Sequence, residues 1–125
     1  MNPYTVTATW IDEGLAVVAQ TGGKERYRNV VANAYEDGEL LSLRGLISSF
    51  PFEPDDARKA YAQSFLVVEF ILETYGLDVI GRIIDRYVHG LSHDEVLIAA
   101  LGLDTDGLES AWIASLAAAP MEQAA

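Results

Sequence analysis

The sequence predicts an all-α protein, a compact array of about six helices with one long central helix at residues 55–75. Strand-like alternation of polar and apolar residues is essentially absent, and apolar residues recur instead at three- and four-residue spacings. Glycine followed by leucine and a helix-capping residue occurs three times in the second half of the chain. These observations together predict short corners between consecutive helices rather than hairpins between strands.

The first two predicted helices, at about 9–20 and 24–36, each end at glycine-containing turns. In the first helix Ile11, Leu15 and Val18 follow one another at i, i+4 and i+7. This spacing places the three apolar side chains on one face of a helix.

The longest helix follows a short apolar stretch at 40–47 and a loop at 48–54 that contains two prolines. Asp55 and Asp56 open this helix, where carboxylates favour the positive end of the helix dipole. Its predicted buried stripe comprises Ala57, Tyr61, Phe65, Val68, Leu72 and Tyr75. Its predicted solvent side carries Arg58, Lys59, Gln63, Glu69 and Glu73.

Three corners in the second half read Gly76-Leu77-Asp78, Gly90-Leu91-Ser92 and Gly102-Leu103-Asp104. We expect each glycine to end a helix, each leucine to enter the core, and each Asp or Ser to cap the next helix. The predicted helices are 78–89, 92–101 and 105–117. Residues 1–125 then form a single domain with a frayed tail from about residue 117.

Composition excludes several functional classes. The chain has a formal net charge of -11, which argues against nucleic acid as a partner. It has no cysteine, which excludes disulfides, thiolate nucleophiles and iron–sulfur clusters. Its N-terminus has neither the basic start nor the apolar run of a signal peptide, and no apolar stretch is long enough to span a bilayer.

The two histidines, His89 and His93, have the i, i+4 spacing of a helical metal pair. The predicted corner at Gly90 separates them, so they do not share one continuous helix face. A zinc site at this pair is therefore not predicted. No G-x-S-x-G or P-loop pattern is present either.

The most unusual stretch is Trp10–Ala16, in which two acids and a glycine interrupt an apolar helix. Glycine inside a helix costs on the order of 1 kcal/mol relative to alanine, so we expect another helix to approach closely at Gly14. Glu13 is expected to be partly buried, and a buried carboxylate needs a salt bridge, a hydrogen bond or a metal. An ordinary pair of acids at a helix start remains the alternative.

This stretch resembles the W-[LI]-x-E-G-[LF]-A signature of gluzincin zinc metallopeptidases. The similarity is greatest to bacterial peptidase MA-like proteins and more distant to the M1 aminopeptidases. In that family a His-Glu-x-x-His helix supplies two zinc ligands and the general base. The resemblance implies that Glu13 is the third zinc ligand. It also implies that Trp10, Gly14 and Ala16 pack their helix against the His-Glu-x-x-His helix.

A second segment, Ala60–Phe65, resembles the A-Y-x-[QKE]-[SG] segment of the same family. By this resemblance Tyr61 is the catalytic residue that donates a hydrogen bond to the oxyanion of the tetrahedral intermediate. The similarity extends roughly from Tyr4 to Leu116. It implies an all-α region of a peptide hydrolase.

The sequence departs from the family because it contains no His-Glu-x-x-His, and only nine residues precede Trp10. It therefore resembles the C-terminal helical portion of such an enzyme. Zinc and a peptide substrate are then expected for the complete parent enzyme. No cofactor and no peptidase activity are expected for this chain alone, because a catalytic zinc site needs three protein ligands.

The alternative is a stand-alone helical interaction module derived from such a domain. Without its partner helix, the first helix is expected to expose an apolar face at Trp10, Gly14 and Val17. Exposed apolar surface tends to recruit a partner, which predicts self-association or binding of a partner helix through that face.

Overall fold

The computed structural model describes residues 7–124, with side chains to residue 118. The described residues contain helices and no strand, which confirms the all-α prediction. The helices are α1 (Thr9–Val18), α2 (Lys24–Asp37), α3 (Pro54–Tyr75), α4 (Asp78–Val88), α5 (His93–Leu101) and α6 (Thr105–Ala124), with a 3-10 turn at Arg44–Leu46. None of the described helices is both long and apolar enough to cross a membrane.

Helix α3 lies at the centre of the fold, as predicted, and packs against α1, α2, α4 and α6. Because neighbours cover several of its sides, its buried residues form a wide band rather than a single stripe. The band comprises Ala60, Ala62, Gln63, Ser64, Phe65, Val67, Val68 and Ile71. The predicted stripe is correct at Phe65 and Val68 but wrong at Tyr61, which is 37% exposed.

The start of α3 lies one residue before the predicted position, at Pro54. The Glu53 carboxylate accepts hydrogen bonds from the backbone N–H of Asp56 at 2.9 Å and of Asp55 at 3.2 Å. These bonds lower the pKa of Glu53 because they favour its ionised form. Glu53 therefore satisfies two of the donors that every helix N-terminus leaves without an intrahelical partner.

The corner before α5 forms as predicted. The backbone N–H of Glu95 donates to the Ser92 hydroxyl at 3.3 Å, and the N–H of Ser92 donates to the Glu95 carboxylate at 3.0 Å. This reciprocal pair is a capping box. At the corner before α6, Gly102 has a φ of 81° and Asp104 accepts from the Gly107 N–H at 2.8 Å, so Asp104 caps α6.

The corner before α4 differs from the prediction. Leu77 is 75% exposed rather than buried, and it is Leu77, not Asp78, that occupies the N-cap position. No side chain caps α4. The α3 C-terminus and α4 are separated by only two residues, so this corner is too tight to turn Leu77 into the core.

Gln63 was expected on the solvent side of α3, and this prediction is wrong. Its side chain is 1% exposed because the segment after α2 crosses α3 at this point. The Gln63 amide accepts from the Leu41 N–H at 2.7 Å and donates to the Leu41 carbonyl at 2.9 Å. The Gln63 side chain thus satisfies the backbone N–H and carbonyl of Leu41, which lies outside any helix.

A polar cluster fastens the 3-10 turn to α5 and α6. The Asp94 carboxylate accepts from the Thr105 hydroxyl at 2.7 Å and from the Thr105 N–H at 3.1 Å. Arg44 donates to both oxygens of Asp94 at 3.2 Å and to Asp106 at 3.2 Å. The Thr105 hydrogen bonds, followed by that of Arg44, lower the pKa of Asp94 to about 2.

Candidate functional site

The contact between α1 and α3 occurs at Gly14. A Cβ atom at residue 14 would lie 2.4 Å from the Ser64 carbonyl oxygen and 2.5 Å from Cγ2 of Val68. Only glycine lets the two helix backbones approach this closely. The expectation of a close helix approach at Gly14 is confirmed, and α3, a helix of this chain, makes it.

The rest of the Trp10–Ala16 stretch is positioned by the same packing. Trp10 is 1% exposed, Ile11 2% and Val17 2%, and all belong to the buried face of α1. The apolar face predicted at Trp10, Gly14 and Val17 is therefore covered within the chain, and its predicted exposure is wrong. Ala16, which the resemblance placed in a helix contact, is exposed.

Glu13 lies beside Gly14 and is half-buried, as expected. With a rotation of about 100° per residue, it falls at the edge of the buried face that Trp10, Gly14 and Val17 define. Among the described side chains, none forms a hydrogen bond or ion pair with its carboxylate. The neighbouring Asp12 is exposed, and partial burial of its carboxylate raises its pKa.

Tyr61 lies one helical turn before Ser64, a rise of about 4.5 Å along α3. Its ring meets the ring of Phe50 edge-on, with the centroids 5.0 Å apart and the planes at 85°. Among the described side chains, no hydrogen bond joins Tyr61 to Glu13. The structure therefore brings the helices of the two motifs into contact at Gly14 and Ser64, without a direct bond between the two predicted site residues.

Ser64 was not singled out by sequence, yet it occupies the centre of this contact. The residue is fully buried, and its hydroxyl is the one buried side-chain polar atom without a hydrogen-bond partner among the described residues. The only sequence signal was its position in the A-Y-x-Q-S segment, four residues before Val68. A serine here keeps the side chain small where the α1 backbone approaches.

The two histidines form separate contacts and no shared site. His89 follows the end of α4, is 64% exposed at its side chain, and contacts the Asp85 carbonyl through Nδ1 at 2.8 Å. His93 opens α5, with its Nδ1 2.9 Å from the Tyr87 hydroxyl. Burial raises the pKa of Tyr87 to about 12.

The histidine and carboxylate side chains do not assemble a metal site within the part of the chain whose side chains are described. No three such groups lie close enough together to hold an ion. A catalytic zinc site needs three protein ligands and an open position. The described residues by themselves therefore do not supply the three ligands of a catalytic zinc site.

Comparison with known proteins identifies a family over almost the entire chain. A family model described as the Peptidase MA superfamily matches residues 1–118. The matched residues include α1 to α5 and the part of α6 up to residue 118. Neither the curated proteins nor the solved structures compared with the chain contain a match.

Proposed function

The chain belongs to the Peptidase MA superfamily, and we propose that it is a metallopeptidase-like helical domain that contributes one metal ligand, Glu13, and one oxyanion donor, Tyr61. The superfamily is typically zinc-dependent. Residues 1–125 contain no His-Glu-x-x-His, so in this proposal Glu13 is one member of a larger ligand set. The observation that carries the proposal is the direct contact of the two motif-bearing helices at Gly14 and Ser64.

The packing of α1 suits Glu13 to the role of a ligand. A metal ligand must be held on a rigid element, because small displacements weaken coordination. Trp10 and Val17 are buried on either side of Glu13 along α1, and Gly14 seats the helix directly on the α3 backbone. Glu13 itself stays half-open at the edge of that face, so a further segment has access to it.

The isolated chain is proposed to be inactive, since Glu13 supplies one ligand where three are needed. Calorimetric titration of zinc into the purified chain is expected to show no submicromolar one-to-one binding. Tight binding that Glu13→Ala abolishes and the adjacent Asp12→Ala preserves would show that the chain completes a site without further ligands. That result would contradict the proposal.

The role of Tyr61 requires a protein with the full ligand set. We suggest joining residues 1–125 to a His-Glu-x-x-His segment from a member of the superfamily and measuring peptide hydrolysis. Loss of one oxyanion donor typically lowers kcat by about 10²–10³-fold. Tyr61→Phe is expected to lower kcat by this order while zinc affinity stays unchanged.

A matched control for Tyr61 is Tyr75→Phe, which removes a hydroxyl near the other end of α3. It is expected to leave kcat within about twofold of the parent protein, because Tyr75 lies about four helical turns from Tyr61. Equal activity of Tyr61→Phe and the parent protein would rule out the oxyanion role.

The second candidate, a stand-alone helical interaction module, finds support on a different surface. The face at Trp10, Gly14 and Val17 is covered by α3, so that face is not proposed as a docking surface. An open groove between α2, α3 and α6 provides an alternative surface for a partner.

A further inference from the structure

The groove between α2, α3 and α6 has a volume of about 830 Å³. Its floor is apolar and consists of Val31, Leu66, Phe70, Trp112 and Leu116. Val31 and Trp112 belong to the buried core, while the other three are partly buried and pack against it. The floor is therefore formed by buried and partly buried side chains of three packed helices.

The rim of the groove is acidic. Three carboxylates, from Glu36, Glu69 and Glu73, line it against a single cation, Arg28. Arg28 is already engaged, since its guanidinium donates two hydrogen bonds to the Glu69 carboxylate at 2.6 Å. Glu36 and Glu73 are exposed and form no ion pair with a described side chain. The groove lining thus carries an excess of two negative charges beside an apolar floor.

We propose that this groove is a docking site for a basic amphipathic helix of a partner protein. An apolar helix face would fill the floor, and Lys or Arg on its flank would meet Glu36 and Glu73. Helices bind grooves of this kind through anchors at i, i+3 or i+4, and i+7. An extended partner strand would need a sheet edge, and the described part of the chain has none.

The dimensions of the groove agree with a short helix. The groove-lining residues of α3 run from Leu66 to Thr74, a rise of about 12 Å. Anchors at i and i+7 lie about 10.5 Å apart along a helix. The floor is therefore long enough for about two turns of a partner helix.

A designed peptide tests this proposal on the full chain. The probe is a fluorescein-labelled helix of about 15 residues, with leucine at i, i+3, i+4 and i+7 and lysine on both flanks. A matched peptide carries glutamate in place of lysine. Fluorescence anisotropy at physiological ionic strength is expected to show saturable, micromolar binding of the basic peptide and none of the acidic one.

Charge reversal locates the binding. Glu36→Lys with Glu73→Lys is expected to weaken basic-peptide binding about tenfold, from two lost exposed ion pairs and two new repulsions. The matched control, Asp78→Lys with Asp85→Lys on the exposed side of α4, changes the net charge equally. It is expected to alter affinity less than about threefold.

Two results would overturn the proposal. An equal loss of affinity in both double variants would show attraction to the net charge of -11 rather than to the groove. Absence of saturable binding of the basic peptide would also refute it. Occupation of the groove by a second copy or by the chain's own last residues would give this result. Neither Glu13 nor Tyr61 lines the groove, so the outcome of this test does not depend on whether Glu13 is a metal ligand.

Discussion

A methyl group added at residue 14 tests the α1–α3 contact that the proposed function rests on. In Gly14→Ala the new Cβ would lie 2.4 Å from the Ser64 carbonyl oxygen and 2.5 Å from Cγ2 of Val68. The oxygen belongs to a helix backbone, so no rotamer change relieves the clash and α1 must move away from α3. Overpacking of this kind costs about 1–3 kcal/mol, with a backbone clash at the upper end, and the helix propensity of alanine returns up to about 1 kcal/mol. The free energy of unfolding is expected to fall by about 2 kcal/mol.

Thermal unfolding followed by circular dichroism measures this effect. For a domain of this size, a loss of about 2 kcal/mol lowers Tm by roughly 8 °C. Gly81→Ala is the matched control, because Gly81 also lies inside a helix but a Cβ there would meet no atom within 4 Å. It is expected to raise Tm, since only the gain in helix propensity remains. A Gly14→Ala variant as stable as the parent chain would refute the close contact.

Three further substitutions test the polar contacts of the fold. Gln63→Leu removes both hydrogen bonds to Leu41 and is expected to lower the free energy of unfolding in urea by about 2 kcal/mol, and an unchanged value would contradict the pairing. Ser92→Ala removes a helix cap and is expected to cost about 1 kcal/mol in the same assay, whereas no loss would mean that the capping box contributes nothing. Asp94→Asn is expected to lower Tm at pH 7, and its difference from the parent is expected to shrink between about pH 4 and pH 2. The reason is that Thr105 holds the pKa of Asp94 at about 2, so the stabilising charge is lost as the pH falls through this range. A difference that does not change with pH would contradict this account.

Local signals in the sequence predicted most of the fold. The ends of α5 depend on neighbours along the chain, with Ser92 and Glu95 at its start and Gly102 after its end, and these were predicted correctly. The central helix was also predicted, with its start one residue later than observed. Interactions between residues three or four apart are visible in a sequence without knowledge of the tertiary fold.

Errors arose where distant segments meet. Gln63 was assigned to the solvent side because its polarity matched that of its helical neighbours, but Leu41, 22 residues away, crosses α3 there. Tyr61 was assigned to the core from its spacing, but no neighbouring element covers it fully and it stays 37% exposed. Sequence periodicity does not specify which side of a central helix each neighbour covers.

The sequence also predicted part of the candidate site. Glycine at residue 14 indicated a close helix approach, and the structure identifies the approaching backbone as that of Ser64. The family match over residues 1–118 agrees with the resemblance of the two motifs. The ligand role of Glu13 stays a prediction, because no three potential metal ligands come together among the described side chains.

The most direct test of that role is the zinc affinity of the protein in which a His-Glu-x-x-His segment is joined to residues 1–125. Glu13→Gln is compared there with Asp12→Asn, an equal change of charge one residue away on the same helix. If Glu13 is a ligand, its substitution lowers zinc affinity by more than about 100-fold, since even outer-shell changes cost about 10–100-fold, while Asp12→Asn leaves it nearly unchanged. Equal zinc affinities of the two variants would contradict the assignment of Glu13.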